Sequence, residues 1–465
     1  MRAWKALRFR EELPNAGKGE NRPGIPDGEE ISAAEEPAPG TKMRMKLNKT
    51  RHLVLTAGAS LMAATLVTAC SQFTQTLTVD FVFVTCSKAA ASSNAGEINV
   101  FEINSESGRM RQIPSSPFPS GGRNPVAEAV SADNGSLFVA NEDDQNIAQF
   151  VIGSDGKLYP HYTVNTPGIS PLALTASQSN LFVVNLFQPL PLCSPAEPCS
   201  GAISVFPLTA GTSSNPVTMG TPVTNAGNGA QYWPLSLGGA NASHVIVPTG
   251  VNVLASGSYV YVTAYDSSVT PNVGYVFAYA VGSDGTLTAV AGSPFAAGTQ
   301  LSAIASDASG SFVYVTDKAN ADVLGFTIAS GGALAPMTTG TGAHGANSFA
   351  AGNQPVGIAV DAAYPYVYAV NSLDSNVTAY SMSNGTLTYV GTYATGLQPV
   401  AIGIDPSTER FLFTANFLGN NVSGFELNRT DGTLLNSQYS PYSSNSQPTA
   451  VAAVPHNGTG GGVQQ

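Results

Sequence analysis

Residues Gln354–Val390 read QPVGIAVDAAYPYVYAVNSLDSNVTAYSMSNGTLTYV, four short apolar runs parted by turn residues. GIAV and YVYAV meet at Asp361–Pro365. NVTAYSM ends in Asn384–Gly385, the dipeptide best suited to a two-residue hairpin because both positions tolerate positive φ, and TLTYV follows. Runs of this length, rich in Val, Thr and Tyr, describe strands. One four-stranded sheet cannot bury both of its faces, so the stretch needs neighbours of its own kind.

Those neighbours exist. With Tyr368 of YVYAVN as marker, the same block recurs as VFVTC (Phe83), LFVAN (Phe138), LFVVN (Phe182), YVYVTA (Tyr261), FVYVTD (Tyr314) and FLFTAN (Phe413). Each marker but the first follows an apolar run, opened by Pro125, Pro171, Pro248, Leu301, Pro355 or Pro399. Asp155–Gly156, Asp284–Gly285, Gly331–Gly332, Asn384–Gly385 and Asp431–Gly432 supply tight turns before a fourth strand. The first copy lacks its leading strand, and Gln447–Val454 is a leading strand with nothing after it. Joining the two closes a ring and removes the open edges. The expectation is an all-β, seven-bladed propeller of four-stranded blades over 77–455, with 456–465 as a disordered tail.

YVYVTA, FVYVTD and YVYAVN, each followed by a further strand and an SDG-x-L-like turn, resemble the YVTN-type repeat. The whole arrangement is similar to the seven-bladed lactonase-like propellers, which include bacterial 6-phosphogluconolactonases. That resemblance implies a site at the mouth of the central channel and, where the family is catalytic, opening of a sugar lactone or similar ester by His, Arg and Glu side chains.

Before the ring, Lys46, Lys49, Arg51 and His52 precede an apolar run from Leu53 to Val67 and then Val67-Thr68-Ala69-Cys70. A basic segment, an apolar segment and small residues before a cut site describe a secretory signal. The cysteine resembles that of a bacterial lipobox, so residues 43–69 read as a lipoprotein signal peptide, Cys70 as the lipidated residue and 70–76 as a tether. A plain signal peptide or a single membrane helix is the alternative. Residues 1–42, polar and rich in Pro, Gly and Glu, read as a mis-assigned or disordered extension. The expected location is the cell envelope, lipid-anchored on the periplasmic or cell-surface side, as a monomer.

The full chain carries a formal net charge of −11 with 11% charged residues. Beyond residue 70 it holds 8 basic and 22 acidic residues, which disfavours nucleic acid as a partner. Cys193 and Cys199 lie six apart, a spacing open to a small disulfide loop in an oxidising compartment or, less readily, to a metal pair. Cys86 reads as a semi-buried free thiol.

Strand B of each blade should end three residues past its marker, at Cys86, Asn141, Asn185, Ala264, Asp317, Asn371 and Asn416. These positions face the mouth in a propeller. Asn141, Asn185, Asp317, Lys318, Asn371 and Asn416 are therefore candidate binding residues, although Asn also serves nearby backbone well. Loops that break the symmetry are the other pointer. They are NEDDQN in blade two, the Cys193–Cys199 segment in blade three, Thr209–Val247 with Trp233 and His244, Tyr265–Val273, and Pro336–Asn353 with His344. His244 and His344 are candidate general bases, with Glu142 or Asp143 as orienting carboxylates, and Trp233 is a candidate binding residue. Glu142–Asp144 offers oxygen ligands for Ca²⁺, and no other cofactor or metal is expected. The leading expectation is a scaffold that binds a protein or carbohydrate partner through the loops of blades two to four. The alternative is a lactonase-type hydrolase at the channel mouth.

Overall fold

The computed structural model describes residues 78–88, 95–191, 193, 196–212 and 215–456. Seven antiparallel sheets stand around one axis, each with strands A to D from axis to rim. In the sixth blade, A is Pro355–Val360, B Tyr366–Asn371, C Asn376–Ser383 and D Thr386–Ala394. All seven marker aromatics lie on B strands. In blade one, strand B (Thr78–Cys86) pairs with the C-terminal strand Pro448–Pro455, from Asp80↔Pro455 to Cys86↔Pro448. Each A strand contacts the next around the full circle, Pro448–Pro455 touching both Pro399–Ile404 and Pro125–Val130. The closure expected at Gln447–Val454 is therefore what the chain forms. The expected segments 1–42, 43–69 and 70–76 and the tail from 457 lie outside the described residues.

Period-2 alternation on strand B stacks the blades. Phe138 and Ala140 of blade two face Leu181 and Val183 of blade three, while Leu137 and Val139 face Phe81 and Phe83 of blade one. Seven apolar clusters fill the seven junctions in this way. Every marker aromatic is fully buried, which stabilises the ring by roughly 1.5–3 kcal/mol apiece. Three marker tyrosines add a polar tie across the junction. Tyr261 Oη donates to Gly332 O, Tyr314 Oη to Gly385 O and Tyr368 Oη to Gly432 O, at 3.0, 2.7 and 3.3 Å. These glycines sit in the C–D turns of the following blade at φ near +80°, and a Cβ on Gly385 or Gly432 would come within 2.5 Å of Phe312 or Tyr366. Turn geometry and close packing thus both demand glycine there.

The outer strand departs from a simple four-strand ladder. It is continuous only in blades two and six and breaks into two short stretches in the other five. At three breaks a serine hydroxyl takes the strand-C N–H that the ladder leaves free, Val100 to Ser116, Ala278 to Ser293 and Gly424 to Ser440. In blade three the expected long connection holds the outer strand itself, as Thr218–Met219 and Trp233–Pro234. Among the described residues the helical structure is one 3₁₀ turn, Gly239–Asn241, and no helix is long and apolar enough to cross a membrane.

Candidate functional site at the channel mouth

The D–A and B–C loops share one face, as the contacts between them show. Arg123, at the end of blade one's outer strand, pairs with Asp144 in blade two's B–C loop (Nη2–Oδ1 2.5 Å), and its backbone N–H donates to Asp144 Oδ2 at 2.8 Å. The Arg123 guanidinium beside it holds the Asp144 carboxyl below the usual range. Asn124 Nδ2 donates to Glu142 Oε2 at 2.8 Å and to Asp143 Oδ1 at 3.3 Å. The NEDDQN loop is thereby fastened to the neighbouring blade. Among the described residues no three acidic, His or Cys side chains converge as a metal cage, and Asp144, weighed as a Ca²⁺ ligand, is engaged by Arg123.

The B-strand termini lie deeper than a binding ring would. Asn141, Asn185, Asp317, Asn371 and Asn416 are fully buried, with bonds that run inside the blades. Asn141, Asn371 and Asn416 each donate through Nδ2 to the asparagine five residues on, at 2.7–2.8 Å, which staples the B–C hairpin. Asn185 donates to Thr166 Oγ1, and Asp317 accepts the backbone N–H groups of Thr299 and Gln300. Lys318 follows Asp317, half-buried, its backbone N–H bonded to Gln300 O. Trp233 is not at the mouth. It sits on the outer strand of blade three, 7% exposed, in the core between blades three and four.

Both candidate histidines are held by carboxylates, and neither partner is Glu142 or Asp143. His244 Nδ1 lies 2.5 Å from Asp266 Oδ2 and His344 Nδ1 lies 2.7 Å from Asp322 Oδ2. Strand B of blade four runs to Asp266, two residues past the expected terminus at Ala264, and that extension supplies the first partner. Burial raises the Asp322 carboxyl above its ordinary value. The two histidines have different positions. His244 lies two residues before the A strand of blade four (Ile246–Val253), at the rim of the channel, with its side chain 25% exposed. His344 lies in the interrupted outer strand of blade five. Around His244 the asymmetric loops meet. Ser200, next to the Cys193–Cys199 disulfide, donates to His244 O at 3.0 Å, and the Ser267 and Ser268 turn bonds Val245 and Asp266.

One further residue stands out on the innermost strands. The A strands carry aliphatic side chains at one register position, Leu174, Val251, Ile304, Ile358, Ile402 and Val451, and blade two places Glu128 there. Glu128 is the single ionisable residue on all seven A strands. Thr85 Oγ1 of blade one donates to Oε2, the Ala452 backbone also bonds the carboxyl, and Oε1 is sealed from solvent without a partner. Burial pushes its pKa up to about 8. Cys86, beside it in blade one, is a buried thiol raised to about 12 by burial first and by Glu97 next, so it is inert at neutral pH. The sequence did hold a signal for Glu128: PVAEAV against PVGIAV and PVAIGI.

A family model described as lactonase, 7-bladed beta-propeller, matches residues 81–452. A solved putative 6-phosphogluconolactonase from Bacteroides fragilis superposes with a TM-score of 0.59 at 21% identity, covering 82% of this chain and 99% of that one. Another from Bacteroides uniformis gives 0.62 at 18%, covering 81% and 99%. A periplasmic gluconolactonase from Pseudomonas aeruginosa gives 0.61 at 18%, again covering 81% and 99%. At these identities the likeness shows the fold. Among curated proteins none matches significantly.

Proposed function

The chain belongs to the lactonase family of seven-bladed β-propellers, and from that premise we propose that it opens an unphosphorylated sugar lactone at the mouth of its channel, outside the cytoplasm. The carrying observation is the His244–Asp266 pair at the start of an innermost strand. A carboxylate on Nδ1–H fixes the imidazole with Nε2 as the basic nitrogen. Nε2 takes a proton from a water as its oxygen attacks the lactone carbonyl. The ring C–O bond then breaks, and the imidazolium returns the proton to the departing ring oxygen. The product is the hydroxy acid.

Support for an unphosphorylated substrate comes from the arginines, the residues best shaped to clamp a phosphate. Arg109 lies over Tyr439, Arg111 pairs with Glu102, Arg123 with Asp144 and Arg410 with Glu426, and Arg429 donates to Thr408 O. The Cys193–Cys199 disulfide supports an oxidising compartment. The periplasmic gluconolactonase among the structural neighbours supports the same placement, with Cys70 as the lipid anchor. His244→Asn and Asp266→Asn test the chemistry. Each should lower lactone opening by 10²-fold or more, an order taken from general-base contributions, with the fold intact by circular dichroism. Unchanged rates in both variants would refute it.

A second reading, a binding scaffold, is favoured by one observation. Leu190, Pro191 and Pro198 line a cleft of about 460 Å³ beside the disulfide, with Leu190 46% exposed. Its occupant would be a protein or carbohydrate gripped by blade three. Hydrolysis at the buffer rate together with saturable binding would favour this reading.

A further inference from the structure

Three serine hydroxyls hold the segment 244–246, which carries His244 into the A strand of blade four. Ser200, from the B–C loop of blade three, donates to His244 O and accepts the backbone N–H of Ile246, both at 3.0 Å. From the other side the B–C loop of blade four supplies Ser267 and Ser268. Ser267 Oγ donates to Val245 O at 3.0 Å, and Ser268 Oγ accepts the Val245 N–H at 2.8 Å. The Ser268 N–H also donates to Asp266 Oδ1 at 2.8 Å, so both oxygens of the carboxylate that meets His244 are engaged.

Elsewhere on this face a carboxylate grips the corresponding backbone. Asp144 accepts the Arg123 N–H at 2.8 Å and Asp374 accepts the Asn353 N–H at 2.7 Å, in each case two residues ahead of the proline that opens the A strand. An ionised carboxylate accepts and does not donate, so at position 200 it could take the Ile246 N–H but not the His244 carbonyl. The Ser200 hydroxyl serves both. The loop that presents it is itself tied down. The Cys193–Cys199 bond ends one residue before it, Gln188 N–H donates to Ser200 O at 3.1 Å, and Gly201 N–H donates to Ile246 O at 2.9 Å.

The geometry points to Ser200 as a positioning residue for His244. The histidine lies in the connection leaving blade three and Asp266 on strand B of blade four, so their contact depends on how the connection is seated between the two blades. Without the Ser200 hydroxyl, the His244 carbonyl and the Ile246 N–H both lose their bond to blade three. The imidazole is then free to leave Asp266, and Nε2 no longer points in one direction. Turnover suffers while substrate contacts stay as they were. The kinetic consequence rests on the hydrolase reading above; the clamp on the backbone does not.

The full chain and its Ser200→Ala, Ser200→Thr and His244→Asn variants test the assignment, with folding checked by circular dichroism. Ser200→Ala should lower kcat for glucono-δ-lactone about tenfold and leave KM within about twofold, because a base displaced by a fraction of an ångström fails in the chemical step. Ser200→Thr keeps the hydroxyl and should return kcat to within about twofold of wild type. Adding Ser200→Ala to His244→Asn should cost nothing more, since the hydroxyl acts through the imidazole. A second measurement needs no turnover. Diethyl pyrocarbonate acylates a neutral imidazole nitrogen, and peptide mass spectrometry follows the reaction at His244. Its side chain is 25% exposed in the clamped state. The loosened ring of Ser200→Ala should react at least about threefold faster, and Ser200→Thr at the wild-type rate. An unchanged acylation rate in Ser200→Ala, the same losses in Ser200→Thr, or an additive loss in the double variant overturns the assignment. If no lactone is opened and the acylation rates differ as stated, the hydrolase reading fails and the clamp stands. If lactone is opened and Ser200→Ala matches wild type in kcat and acylation, the clamp fails and the hydrolase stands.

Discussion

Replacing Glu128 by glutamine keeps the side chain's shape and removes its ability to ionise. In the folded protein the carboxyl titrates at about 8, against 4.5 for an unhindered glutamate. Between those values the unfolded chain gives up its proton and the folded chain does not. The stability that depends on Glu128 is therefore complete below pH 4.5 and falls as the pH rises to about 8, beyond which both states are ionised and the slope ends. At about 1.36 kcal/mol per pH unit the wild type loses up to about 5 kcal/mol relative to the variant. That is a large share of a typical folding free energy. Asp80 and Asp361, both pushed up to about 7 by burial first, impose a slope of the same sign, but they are present in both proteins and cancel in the difference. Urea unfolding of wild type and Glu128→Gln at pH 5, 7 and 9 reads it directly. The gap should widen in favour of glutamine with pH. Parallel curves, with the gap constant to about 1 kcal/mol, would refute the placement of an uncompensated acid between blades one and two.

Two other expectations concern residues away from the chemistry. Trp233→Ala should destabilise the ring by about 3–5 kcal/mol, as for a buried aromatic, and leave the rate constant for lactone opening unchanged. A specific loss of KM or kcat at full folding would return Trp233 to the mouth. Cys70→Ser should move the protein from the membrane fraction to the soluble fraction of an expressing bacterium, and membrane retention of both forms would remove the lipid anchor.

The ring was legible because its signals are local and repeated. Seven markers, the turn glycines and the unpaired first and last strands each follow from period-2 burial and edge closure. The outer strand was harder to read. In blade three no Asp-Gly, Asn-Gly or Gly-Gly turn announces it, and its two short stretches sit inside a long polar connection, so Trp233 read as a loop residue although it is core. His244 was legible as a candidate. Its partner was not, because Asp266 reaches it only through a strand that runs two residues past the repeat's usual end. Asn141, Asn371 and Asn416 show the opposite case, in which side-chain chemistry that suits a ligand instead satisfies a hairpin five residues long. Glu128 was visible as the one charged letter in its register column, and its significance depends on the partners around it, which strand alignment alone does not supply.

The proposed reaction is the opening of an uncharged lactone through His244 at the channel mouth. Its most direct test is the kcat/KM of the purified protein for glucono-δ-lactone set beside that for the 6-phosphorylated lactone, each corrected for spontaneous opening. The expected result is clear acceleration of the neutral lactone, preferred at least about tenfold over the phosphorylated one. No acceleration of the neutral lactone, or a preference for the phosphorylated one, would contradict it.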